Sequence, residues 1–136
     1  MTQSLRILVF SDLHGKCFQE AASVIDEQRP DWIVLCGDLL PDFDRIAGSA
    51  FRLGAQREFW QVHRSTFIRP FAVTTLVRGN FEIEGFSDPG LQQIPAMLQG
   101  RVVRLEGIPV ESGAWGASLP IWAGTMDKGC VAEWLW

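Results

Sequence analysis

Cysteine is scarce in this chain of 136 residues: only Cys17, Cys36 and Cys130 are present, and none stands in a CxxC pair. An odd number leaves at least one thiol unpaired, which argues against a disulfide framework and for reduced thiols in a cytoplasmic setting. Cys36 ends an apolar run and reads as a small buried hydrophobe. Long apolar runs are missing as well. Nothing approaches the roughly 20 residues that a membrane-spanning helix needs. Ile7-Leu8-Val9-Phe10 is too short for a signal peptide and runs straight into Ser11-Asp12. No membrane partner is expected. Basic charge is in deficit, with 12 Lys and Arg against 16 Asp and Glu, a net charge of -4 and a pI near 5.1. A surface built to grip nucleic acid is therefore not favoured, though a local basic pocket can hold one phosphate. Internal repeats, linkers and low-complexity segments are absent, and no histidine follows His63.

What is present describes one globular domain over 1–136. Hydrophobic residues make up 47% and charged residues 21%, and the mean hydropathy is +0.09, all ordinary for a single core. Leu5 to Phe10 reads as a short strand buried on both faces, and Trp32 to Cys36 as a second. Between them, Gly15 to Arg29 reads as a helix with Phe18, Ala21, Ala22 and Ile25 on one face, ended by Pro30. The three form a βαβ unit, which predicts a parallel pair with a right-handed crossover. Arg45 to Ser49 is expected to form a short helical turn. A stronger helix follows from Ala55 to Ile68, with Phe59, Trp60, His63 and Phe67 at helical spacing, closed by Pro70. Phe71 to Val77 is a third strand by its β-branched content. Leu91 to Leu98 is expected as a short helix. Val102–Leu105 and Ile108–Glu111 read as strands of a hairpin turning at Glu106-Gly107. From 112 onward the pattern weakens, and four of the six tryptophans (Trp115, Trp122, Trp134, Trp136) fall there.

Each of the three strands ends in polar residues suited to metal or phosphate. The first runs into Ser11-Asp12-Leu13-His14-Gly15, the second into Gly37-Asp38-Leu39-Leu40, and the third into Arg78-Gly79-Asn80. Ligands of open parallel sheets bind just beyond the carboxyl ends of the strands, so Asp12, His14, Asp38 and Asn80 should converge on one crevice. Two carboxylates, an imidazole and an amide oxygen suit divalent Mn, Fe, Zn or Mg, one or two per chain. A central carboxylate such as Asp38 can bridge two ions, the arrangement that clamps the oxygens of an in-line phosphoryl displacement.

The order DLHG, GD, RGN resembles the calcineurin-like metallophosphoesterases, whose pattern is DxH, GD, GNH(D/E) and then later histidine segments. The resemblance covers about residues 5–82. It implies an α/β fold, the parallel-sheet core of the family's α/β sandwich with a truncated second sheet, and a hydrolase acting on phosphomonoesters or phosphodiesters. It also implies Asp12 and His14 as ligands of a first metal, Asp38 as the bridging ligand and Asn80 as a ligand of a second. Arg78 and Glu82 would stand close behind them or contact the phosphate. Two departures are plain. The histidine position of GNH is Phe81 here, which removes a proton donor worth roughly 10²–10⁴ in rate, and the later histidines are missing. A weak or degenerate phosphatase is one reading; a catalytically inactive binding or scaffold subunit is the other. An unrelated doubly wound domain is a third.

Taken singly, these residues have simpler readings. Asp12 and Asp38 suit helix or turn caps, His14 a helix-start donor, and Asn80 a turn. His63 reads as helix-face packing, Asp42 and Asp44 as solvated loop residues, and Arg78 as a carboxylate partner. Cys17 and Cys130 show no ligand spacing. In the family a second sheet packs on the first, and this chain is short of it. An apolar face left open in this way would be covered by a second copy through the aromatic region 101–136, so a homo-oligomer is expected alongside a small phosphoester substrate.

Overall fold

A computed structural model describes residues 4–41, 43, 48–78, 86–98, 104–105, 121–127 and 133–134. Its centre is a parallel trio of strands, β1 (Ser4–Phe10), β2 (Trp32–Cys36) and β3 (Val73–Val77). Helix α1 (Phe18–Gln28) connects the first two, and α2 (Ser49–His63) lies between the second and third. Strand β1 pairs with β2 in the register Ile7 with Trp32, and β2 with β3 in the register Trp32 with Val73. The parallel pair and its connecting helix are as the βαβ reading expects.

Both faces of this sheet are covered, as the unbroken apolar runs predict. Alternate side chains of each strand go to opposite sides. Leu8, Phe10, Ile33 and Leu35 join Ala21 and Ile25 of α1, Trp60 of α2 and Phe67 in one core. Leu5, Ile7, Val9, Trp32, Val34 and Cys36 form the other, with Leu98 buried against them and Ile94 and Met97 packed alongside. Ile7 and Trp32 are 0% exposed. This face of the sheet is thus buried within the chain itself. Trp32 Nε1 donates to Thr75 Oγ1 at 2.8 Å, and the same hydroxyl donates to the Gln93 carbonyl at 2.5 Å. Those two bonds tie the 92–95 segment to this face and satisfy its buried polar groups.

Several boundaries differ from the sequence reading. Helix α1 begins at Phe18 rather than Gly15, because Gly15 and Cys17 hold φ of +76° and +58°, which no right-handed helix accommodates. Helix α2 starts six residues before Ala55, at Ser49. Its first turns lack an apolar stripe, and Phe51 there is 63% exposed. Its last predicted turn is a tighter 3₁₀ segment, Arg64–Phe67. The helix expected at Leu91–Leu98 is instead two 3₁₀ turns, Pro89–Leu91 and Ala96–Leu98, parted by Pro95, which has no amide hydrogen to continue the ladder. A strand the weak C-terminal pattern hid, β5 (Ile121–Asp127), runs antiparallel along the open edge of β1. The sheet order is therefore β3-β2-β1-β5. Of the expected hairpin, only β4 (Arg104–Leu105) is described, and it pairs in parallel with β6 (Glu133–Trp134) as a separate two-stranded sheet. The second hairpin strand, 108–111, and most of the expected turn at 45–49 lie outside the described residues. Among the described residues no helix is long and apolar enough to cross a membrane.

Asp88 fastens the end of α2 to the segment after β3. Its Oδ2 accepts from Trp60 Nε1 at 2.8 Å and from Arg64 Nε at 2.9 Å, and its Oδ1 from Gly90 N at 3.2 Å. Burial pushes the Asp88 carboxyl up, but the bonds from Trp60, Arg64 and the Gly90 amide outweigh it and hold the group below its ordinary value. A carboxyl depressed on folding contributes stability above its unfolded value of about 3.9, and that contribution fades as pH falls through the folded value. Solvent around Arg64, whose side chain is 40% exposed, limits the effect. Asp88→Ala should cost about 1–2 kcal/mol in urea unfolding at pH 7. The gap to the parent should shrink as pH falls from about 5 to 2.

Candidate metal centre

The site grows from the ends of β1 and β2. Past Phe10 and Cys36 the strands stop, yet the two loops stay hydrogen-bonded to each other. The Asp12 amide donates to the Gly37 carbonyl at 3.1 Å, His14 to Asp38 at 2.9 Å and Gly15 to Leu39 at 2.8 Å. This pairing needs backbone that ordinary residues avoid. Asp12, His14 and Asp38 hold φ of +59°, +50° and +51°, and Gly37 holds +87°. Aspartate tolerates the left-handed region better than most residues. Such outliers are stored where surrounding structure enforces them, commonly at functional sites.

The result is a cluster drawn from both loops. One ligand atom from each of Asp12, His14 and Asp38 can be chosen so that all lie within 4.8 Å of one another. His14 Nε2 is 4.0 Å from Asp12 Oδ1. Donors on opposite sides of one ion, each roughly 2.1 Å from it, stand about 4.2 Å apart, so the cluster is ion-sized to within a few tenths of an ångström. Asp38 is 2% exposed. Asp12 Oδ2 accepts from the Ser11 hydroxyl, whereas Oδ1 is buried and accepts no hydrogen bond among the described residues. A buried carboxylate oxygen left in that state is costly. A divalent cation beside it would remove the cost and offset the charge of two clustered carboxylates. The residues fit a metal.

The helix-cap reading of Asp12 and Asp38 does not hold. The N-cap positions of α1 and α2 are Cys17 and Gly48, so neither Asp12 nor Asp38 caps a helix. His63 packs between the rings of Phe18, 5.7 Å away, and Phe59, 4.2 Å away, on the helix face expected for it. Arg78 is exposed, one residue past β3 at the same end of the sheet as the cluster. Asn80, Phe81 and Glu82 lie outside the described residues, as do Asp42, Asp44 and Cys130. Cys17 is half-buried and unpaired by any disulfide.

Two supports had no clear sequence signal. Ser11, beside the first ligand, orients Asp12 through its hydroxyl. Pro41 closes on Gly15 so tightly that a Cβ there would meet Pro41 Cγ at 2.3 Å. The glycine of the DLHG run is thus required twice, for its φ of +76° and for that approach. Pro41 is in turn fixed by Gln56 of α2, whose Nε2 donates to its carbonyl at 3.4 Å.

A family model described as calcineurin-like phosphoesterase matches residues 5–132. The match begins in β1 and reaches past β5, well beyond the 5–82 segment that carries the three motifs. No curated protein and no solved structure gives a significant match.

Gly15→Ala should destabilise the fold by about 2 kcal/mol or more, from the left-handed penalty and the overlap with Pro41 together. Gly54→Ala is the control. Gly54 lies within α2 with nothing within 4 Å of an added Cβ, and alanine there should stabilise by roughly 0.5–1 kcal/mol. Urea midpoints of the two variants would move in opposite directions.

Proposed function

The chain belongs to the calcineurin-like phosphoesterase family, and on that premise we propose that it is a divalent-metal-dependent hydrolase of small phosphoesters. The observation that carries this reading is the cluster of Asp12, His14 and Asp38, with its buried, unbonded Asp12 oxygen. Ions bound there would supply Lewis acidity toward phosphoryl oxygens and toward water. Asp12 and His14 hold the first position, and Ser11 fixes the rotamer of Asp12. Asp38, the most buried of the three, offers two oxygens at the centre of the site. Asn80, three residues past Val77 in the sequence, is the proposed further ligand. Arg78, exposed one residue past β3, would meet the outer oxygens of a phosphoryl group through its guanidinium fork. Glu82 is proposed to stand behind the ligands.

Phe81 sets the kind of substrate. It occupies the position where the family pattern has histidine, and phenylalanine carries no proton. The chain therefore has no general acid at that point, and esters whose leaving group departs without protonation are favoured. Phe81 and the absence of any histidine after His63 also motivate the second reading, a family member that binds metal or phosphate without turnover. One assay separates the two. Metal-dependent hydrolysis of an activated aryl phosphate should fall at least about 100-fold in Asp38→Asn. An unchanged rate in that variant would remove the hydrolase reading. A parent protein that retains metal but shows no turnover would establish the binding reading.

A further inference from the structure

Away from the ligand cluster, the described residues form a second concave site. A cavity of about 420 Å³ is lined by Arg57, Trp60, Gln61, Arg64, Ser87 and Asp88, among others, a volume in the range of small-molecule sites. One wall is a face of α2 and its end; the other is the segment after β3. It is not part of the metal centre. Gln56 touches Pro41 beside the ligand loop, and Arg64 lies about two turns further on, roughly 12 Å along the helix.

The cavity's charge is arranged around Asp88. Both of its oxygens are already engaged: Oδ2 by Trp60 Nε1 and Arg64 Nε, Oδ1 by the Gly90 amide. Among the described residues the carboxylate takes only the Nε corner of the Arg64 guanidinium. The planar group is held at that corner, its Nη atoms make no hydrogen bond among the described residues, and Arg64 lines the cavity. A guanidinium oriented in this way loses little entropy on meeting a second anion, which is why arginine serves planar oxyanion recognition. Gln61 and Ser87 add neutral hydrogen-bonding groups to the lining, and Arg57 adds a second guanidinium. Trp60 is only 3% exposed, so its ring offers no stacking surface. Phe86 and Pro89 add apolar wall, and the charged donors of the lining are Arg57 and Arg64.

We propose that this cavity binds an oxyanion group, phosphate or carboxylate, at a site distinct from the metal centre, with Arg64 as its principal donor. The test is independent of metal. Metal-free protein is titrated with inorganic phosphate at constant ionic strength, and the ¹H–¹⁵N signals of Arg64 Nε and the Trp60 indole are followed. Both signals should shift saturably, with a Kd on the order of 1 mM. Arg64→Gln should weaken binding at least about tenfold. Gln61→Glu changes an exposed helix residue and leaves the core untouched; by placing a like charge at the cavity it should weaken binding at least about threefold. Shifts that stay linear in phosphate, or that are the same in both variants, would overturn the proposal. A repeat with Mg and a small bisphosphate identifies the source of the anion. One midpoint for Arg64 and the 12–15 loop assigns it to the far end of a bound substrate; separate midpoints assign it to an independent small anion.

Discussion

Everything at the metal centre depends on β1 and β2 remaining paired after they have stopped being strands. Three amide-to-carbonyl bonds, from Asp12, His14 and Gly15 to Gly37, Asp38 and Leu39, carry the parallel register of the sheet out into the loops. Loops released at the strand ends would leave Asp12 and Asp38 on two independent excursions, and their charges would drive them apart. The continued pairing holds them together against that repulsion. It also forces Asp12, His14 and Asp38 into left-handed backbone. That strain is sustained from behind by two strands whose apolar residues are buried and from the side by Pro41, seated on Gly15 and bonded by Gln56.

Much of this was legible in the sequence, and the reasons are local. Leu5–Phe10 and Trp32–Cys36 are apolar runs of strand length bounded by polar residues, and β1 and β2 follow them almost residue for residue. Asp12, His14 and Asp38 could be assigned to one crevice because parallel strands end on the same side. What stayed hidden depends on tertiary contacts. Nothing in His14-Gly15-Lys16-Cys17 announces that His14, Gly15 and Cys17 take left-handed backbone before Phe18. The first turns of α2 are half solvated, so periodicity misses them. Ile121–Asp127 contains Ala123 and Gly124, weak strand formers, and becomes β5 because β1 offers an unpaired edge. The packing of Ile94, Met97 and Leu98, distant in sequence, against Leu5, Ile7 and Val9 likewise has no local signal.

The molecule divides its polar chemistry between two places along α2. At the middle of the helix, Gln56 bonds the Pro41 carbonyl beside an acidic, cation-seeking cluster. Near its end, Trp60 and Arg64 converge on Asp88 beside a cavity that Arg64 helps to line. The acidic site suits divalent ions and the other suits anions. Phe81 stands where the family pattern has histidine, while Asp12, His14 and Asp38 stand where the pattern has its first ligands.

Metal binding is the claim on which the rest stands, and elemental analysis tests it most directly. The protein would be purified with Mn, dialysed and assayed for ions per chain beside Asp38→Asn. The account predicts at least one ion retained per chain and its loss in the variant. No retained ion in the parent, or equal retention in both, would contradict it.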